Sequence, residues 1–127
     1  MAKPGDDSTL RGRRVLLVED EVLVAMELES VLGEQGCVVV GPAPTVARAI
    51  ALIGQGGPEA ALLDLNLRGQ STLPVAAALN AHGVPFLIVS GYSQTQMQAP
   101  ELSRAPRLAK PVDHQKLLSQ LTRLLAS

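Results

Sequence analysis

The chain has 127 residues, enough for one domain with a sizeable core and no need of disulfide staples. Hydrophobic residues make up 46% and charged residues 18%, which is globular composition, and a net charge of -1 gives no bulk field to draw nucleic acid or an anionic membrane. Aromatic residues reach only 2%, so the core must be built from Val, Leu, Ile and Ala, which suits parallel strands under Ala- and Leu-rich helices.

Met1 to Gly12 reads as a polar, frayed tail with nothing to bury, followed by one domain over residues 13–127. Arg11, Arg13 and Arg14 form a solvated flank to the first strand, Val15-Leu16-Leu17-Val18, which runs into Glu19-Asp20-Glu21. Val24, Leu28, Val31 and Leu32 then fall at helical spacing, and Gly36 stops that helix. Cys37 to Gly41 predicts a second strand and Pro42-Ala43-Pro44 a turn. Thr45 caps a second helix whose face is Val46, Ala49, Ile50 and Ile53.

Ala60-Ala61-Leu62-Leu63-Asp64 is the third strand, too short and too apolar to be a helix or a loop. A polar loop from Asn66 to Ser71 leads to a third helix that starts near Pro74 and ends at Gly83. Pro85 to Gly91 is the fourth strand, ending in the hydroxyl of Ser90 and in Gly91. Tyr92 to Pro106, rich in Gln and Ser and broken by Pro100 and Pro106, predicts a weak or mobile fourth helix. Arg107 to Pro111 makes a short fifth strand, and Asp113 caps a last helix with Leu117, Leu118, Leu121, Leu124 and Leu125 on one face. Strands alternating with helices in this way give an α/β, doubly wound parallel sheet.

In a sheet of order 2-1-3-4-5, strands 1 and 3 meet at the switch point, where such folds keep their ligands, and Asp20 faces Asp64 across one crevice. Clustered carboxylates are costly unless a cation shares the site. Without His or Cys partners, two or three acids suit a hard, oxygen-loving ion such as Mg²⁺ rather than zinc. Mg²⁺ takes few protein carboxylates and completes its shell with water and phosphate oxygens. Ser90 and Lys110 open on the same edge, one able to donate a hydrogen bond and the other a positive charge to a phosphoryl group. Asp64 is then the in-line nucleophile, forming an acyl phosphate.

Four motifs in order carry a resemblance: Glu19-Asp20 in Val-Leu-Leu-Val-Glu-Asp-Glu, Asp64 in Leu-Leu-Asp-Leu-Asn-Leu, Ser90-Gly91, and Lys110-Pro111. The chain from Val15 to Leu125 resembles a stand-alone receiver domain of two-component signalling, a flavodoxin-like fold. The resemblance implies a phosphoacceptor module of a two-component system or phosphorelay, a cytoplasmic protein that changes its own phosphorylation but is not a turnover enzyme. It implies that Asp64 is phosphorylated, and that Asp20, Asp64 and the main-chain carbonyl of Asn66 hold Mg²⁺, with Glu19 acting through a metal-bound water. Ser90 and Lys110 would bind the phosphoryl oxygens across a cis Lys110-Pro111 bond. The implied partners are a sensor histidine kinase or a histidine phosphotransfer protein and a downstream protein target, with no nucleic acid or membrane. Receivers often associate through the face of the fourth and fifth helices, so a homodimer belongs to the same expectation.

Two departures stand out. Receivers usually carry an aromatic switch three residues before the lysine, where this chain has Arg107. An aromatic follows Ser90 instead, at Tyr92, and the Ser-Gly-Tyr ending resembles an alphaproteobacterial variant group with Thr-Gly-Tyr after a Phe-Ala pair, replaced here by Ile88 and Val89. Tyr92 and the segment after it are therefore expected to take over the switch with Ser90. A haloacid-dehalogenase-like phosphatase would also use Asp64 as nucleophile, but such enzymes want an acid two residues later, where this chain has Asn66. A degenerate receiver that works without phosphorylation is opposed by the intact set of acids, hydroxyl and lysine. His82 and His114 are expected without carboxylate partners, Glu21 as a solvated charge at the helix start, and Cys37 as a small buried apolar residue.

Overall fold

The computed structural model describes residues 9–91, 99–102 and 105–126. Five strands, β1 (Arg14–Val18), β2 (Val38–Ala43), β3 (Ala60–Asp64), β6 (Phe86–Ser90) and β7 (Arg107–Ala109), form one sheet. A small hairpin, β4 (Asn66–Leu67) and β5 (Gln70–Ser71), follows β3. The helices are α1 (Val22–Glu34), α2 (Val46–Gly54), α3 (Leu73–Ala81) and α4 (His114–Ala126), with a 3₁₀ turn at Pro100–Leu102. The strand order, β2-β1-β3-β6-β7, is the expected 2-1-3-4-5 by position in the sheet, and the pairs in it are parallel.

β3 and β6 are buried along their whole length, which is why their sequences run apolar without alternation. The side chains nevertheless alternate between two cores. Leu16, Val18, Ala61, Leu63 and Ile88 face α2 and α3, whereas Val15, Leu17, Leu62 and Leu87 face α1 and α4. The caps follow the sequence: the Arg48 amide donates to Thr45 Oγ1 at 3.1 Å, and the Lys116 amide to Asp113 Oδ1 at 3.0 Å. Gly36, at φ +83°, ends α1 in the left-handed conformation that an L side chain resists. Cys37 is buried, and burial pushes its thiol pKa up.

Several expectations are corrected. The polar tail expected over Met1–Gly12 does have something to bury: Leu10 is completely buried in the core under α1 and α4. A turn from Arg13 N to Leu10 O and a bond from Gly12 N to Gly36 O hold it there. β2 continues through Pro42 and Ala43 instead of turning, because a bulge at Gly41 (φ +100°) carries it past β1. A Cβ there would stand 2.8 Å from the Ala43 nitrogen. On α2, Ala49 and Ile53 are buried as expected, but Leu52 joins them and Ile50 stays exposed. The polar loop after β3 is a hairpin that buries Leu67. The expected weak fourth helix falls mainly on residues 92–98 and 103–104, outside the described residues.

Replacing Leu10 by Ala should cost about 2–5 kcal/mol, as deletion of a fully packed leucine does. The urea midpoint should fall with little change in slope. A midpoint equal to wild type would show that Leu10 is not part of the core in solution.

Candidate functional site

The register of the sheet brings the acids together. Val18 pairs with Leu63, so the next residues along, Glu19 and Asp64, leave β1 and β3 at the same level. Asp64 pairs with Val89 on the other side, and Ser90 with Ala109, which sets Ser90 and Lys110 at the same edge. Carboxylate oxygens of Glu19, Asp20 and Asp64 all lie within 4.8 Å of one another. Glu19 and Asp64 are buried and Asp20 is half-buried. Ser90 is buried as well.

Lys110 is what makes this density of charge tolerable. Its Nζ donates to Asp64 Oδ2 at 2.9 Å and to Glu21 Oε1 at 2.7 Å, and stands 3.5 Å from the Glu19 carboxylate. Burial works against its ammonium, but the hydrogen bonds to Glu21 and Asp64 outweigh this and hold its pKa above the ordinary lysine range. Glu19 goes the other way. Burial first, then the neighbouring Asp64 carboxylate, push its pKa up to about 7.

Backbone amides fix the remaining oxygens. Glu19 Oε2 accepts from the Glu21 amide at 3.2 Å at the start of α1, where the helix dipole favours negative charge. Asp64 Oδ1 accepts from the Asn66 amide at 3.1 Å, and Asp20 Oδ2 from the Arg68 amide at 2.9 Å. The Asn66 side chain accepts from the Gly69 amide at 2.8 Å and closes the hairpin turn. The donor set, Glu19, Asp20 and Asp64, is all carboxylate oxygen and contains no His or Cys. It fits a hard divalent cation such as Mg²⁺.

Among the expected site residues, Glu19, Asp20, Asp64 and Lys110 share the pocket, Asn66 adjoins it through the hydrogen bond its main-chain amide donates to Asp64, and Ser90 ends the adjacent strand. The Lys110-Pro111 bond is cis, and Arg107 is exposed on β7. Tyr92 lies outside the described residues. Two residues were missed. Glu21, expected to be merely solvated, pairs with Lys110, and as N-cap of α1 it makes no side-chain cap bond. The third acid of the Glu-Asp-Glu run was the available signal. Arg68 acts through its main chain, and only the Gly69 beside it hinted at a two-residue turn. His114, expected without a carboxylate partner, has its Nε2 2.6 Å from Glu27 Oε2, joining α4 to α1 at the surface.

The fold has many counterparts among solved structures. The family model for the response regulator receiver domain matches residues 15–122. A response regulatory protein of Yersinia pestis is 32% identical over 113 residues, 87% of this chain and 48% of that protein. The two-component response regulator PhoP of Pseudomonas aeruginosa is 31% identical over 88% of this chain and 51% of its own length. The chain thus spans about half the length of these curated relatives. Among solved structures, SdrG from Sphingomonas melonis Fr1 is 38% identical, with a TM-score of 0.78 over 94% of this chain and 99% of that one. The signal receiver domain of a modulated diguanylate cyclase from Desulfovibrio desulfuricans G20 is 27% identical, with a TM-score of 0.80 over 91% and 94% of the two chains. The chain belongs to the response regulator receiver domains, the signalling modules of two-component systems.

Proposed function

We propose that the chain takes a phosphoryl group from a partner's phosphohistidine onto Asp64 and signals by protein contact. The observation that carries this reading is Lys110 at 2.9 Å from Asp64 Oδ2, a cation already seated where phosphoryl oxygens would gather. Asp20, Asp64 and the Asn66 carbonyl would hold Mg²⁺, with Glu19 behind them. When bound, the ion supplies charge neutralisation for the incoming phosphoryl oxygens.

The residues of the chain divide the remaining work. Asp64 attacks phosphorus through a carboxylate oxygen while the phosphorus–nitrogen bond of the donor breaks, and the partner's imidazole leaves. Lys110 turns from the carboxylate to the transferred group and meets its negative charge with an ammonium donor, and Ser90 donates its hydroxyl to another phosphoryl oxygen. Glu21 keeps a second hold on Lys110 from the α1 side. Asn66 offers no proton-transfer group where a phosphatase would place its acid, which favours a labelled product over turnover.

The exposed start of α1 supports a protein donor. Val22, Leu23 and Met26 are 70%, 80% and 59% exposed beside the acidic pocket. Such apolar residues rimmed by charge suit a partner's helix. Among the described residues no helix is long and apolar enough to cross a membrane. Tyr92 is assigned the switch with Ser90 from its place in the sequence, since Arg107 occupies the usual aromatic position.

Incubation with Mg²⁺ and acetyl phosphate should add one phosphate to the intact mass, and Asp64→Asn should abolish it. No Asp64-dependent adduct, also with cognate kinases supplied, defeats the assignment. Leu23→Glu should slow transfer from a phosphohistidine protein about tenfold while leaving labelling by acetyl phosphate unchanged, a loss of about 1.4 kcal/mol in docking alone. Equal slowing with both donors would place Leu23 in the chemistry and not in docking. Beryllofluoride should change amide exchange over residues 92–105 in the wild type but much less in Tyr92→Ala; identical responses would remove Tyr92 from the switch.

A further inference from the structure

We propose that the β4–β5 hairpin selects the cation at this site, by tying up one oxygen of Asp20 through the Arg68 amide. The inference rests on the metal reading above and deepens it.

The hairpin is an unusual piece of backbone. Asn66 pairs with Ser71 and Leu67 with Gln70, so Arg68 and Gly69 form a two-residue turn with φ of +52° and +82°. Positive φ at both positions is the type I′ geometry, which Gly69 accepts freely and an arginine does not. Arg68 is the one non-glycine residue with positive φ among the described residues. Three interactions hold it there: Leu67 is buried, the Asn66 side chain accepts the Gly69 amide, and the Arg68 amide itself reaches Asp20 Oδ2 at 2.9 Å. The strained residue is therefore the one whose amide meets the acid, from 48 positions along the chain.

The consequence lies in how each carboxylate can turn. The Asp64 oxygens accept one bond each, from the Asn66 amide and from Lys110, and each keeps a second lone pair for a cation, whereas Asp20 is pinned through Oδ2 by a main-chain amide that cannot turn away as the lysine can. The pinned Asp20 carboxylate cannot turn both oxygens equally toward one cation and is biased toward single-oxygen coordination. Mg²⁺ needs few protein oxygens at short range and keeps its waters, whereas Ca²⁺ favours more ligands and two-oxygen carboxylates. A carboxylate pinned by an amide is suited to the smaller ion. With that amide removed, Asp20 swings more freely and both its oxygens become available.

Arg68→Pro removes the donor outright and forbids the positive φ, while its predecessor Leu67 is already in an extended strand that a following proline tolerates. Arg68→Gly keeps the amide and eases the turn. Mg²⁺ and Ca²⁺ dissociation constants, measured by calorimetry on the full chain, should show a preference for Mg²⁺ in wild type and Arg68→Gly. In Arg68→Pro, Mg²⁺ should bind about fivefold more weakly and the Ca²⁺/Mg²⁺ ratio should shift toward Ca²⁺. Should Arg68→Pro lose the native circular dichroism, Gly69→Val takes its place. A Cβ there would meet nothing within 4 Å, so the substitution acts through the turn's φ of +82°. An unchanged Mg²⁺ affinity and ratio in a folded variant that has lost the amide bond, the loss read for Gly69→Val from faster exchange of the Arg68 amide, overturns the hairpin's role. So does a Gly69→Val protein whose Arg68 amide exchanges as slowly as in wild type, since the turn would then not depend on its φ. Wild-type protein that binds no Mg²⁺ overturns the metal reading itself, and this proposal with it.

Discussion

Three carboxylates held within 4.8 Å of one another are the constraint around which this molecule is arranged. Left alone, their mutual repulsion and the cost of burying Glu19 and Asp64 would open the pocket or protonate it. The chain answers with Lys110, whose ammonium touches Asp64 and Glu21 and approaches Glu19. Amides of Glu21, Asn66 and Arg68 take one oxygen from each acid of the cluster. These donors come from the start of α1, from the β4–β5 hairpin and from the residue after β7, so the site is stable only when the C-terminal edge of the sheet is in place.

The sheet supplies that precision. β1, β3 and β6 are locked between two cores, with α1 and α4 on one face and α2 and α3 on the other. A slip of one residue between β1 and β3 would invert every side chain across those cores. Register therefore cannot drift, and with it the level at which Glu19, Asp64 and Ser90 emerge is fixed. The chemistry sits in loops, but its coordinates are set by Val, Leu and Ile packing.

Much of this was legible in the sequence, for physical reasons. Strands buried on both faces, Val15–Val18, Ala60–Leu63 and Phe86–Val89, have no polar alternation to confuse with a helix, and the acids at their ends announce themselves. Thr45 and Asp113 were legible as caps because capping is local. What escaped depends on distance along the chain. The His114–Glu27 contact joins residues 87 apart and the Arg68–Asp20 bond residues 48 apart, and neither leaves a periodic trace. Leu10 escaped because a lone leucine among polar neighbours has no period at all. The hairpin escaped because its turn is Arg-Gly, not the Asn-Gly or Asp-Gly that usually marks such a turn.

The edges of the sheet have a consequence for how the molecule meets others. An edge strand offers a row of unpaired amides and carbonyls, an invitation to any extended chain. Here one edge, β2, carries Pro42, which has no amide to give, and is bent by the bulge at Gly41. The other, β7, is only three residues long and begins with an exposed arginine. Neither is a good template for strand addition. The sheet is thereby guarded against fibre-like growth, and recognition is left to the helices and the loops of the acidic edge, where contacts can be made and broken quickly.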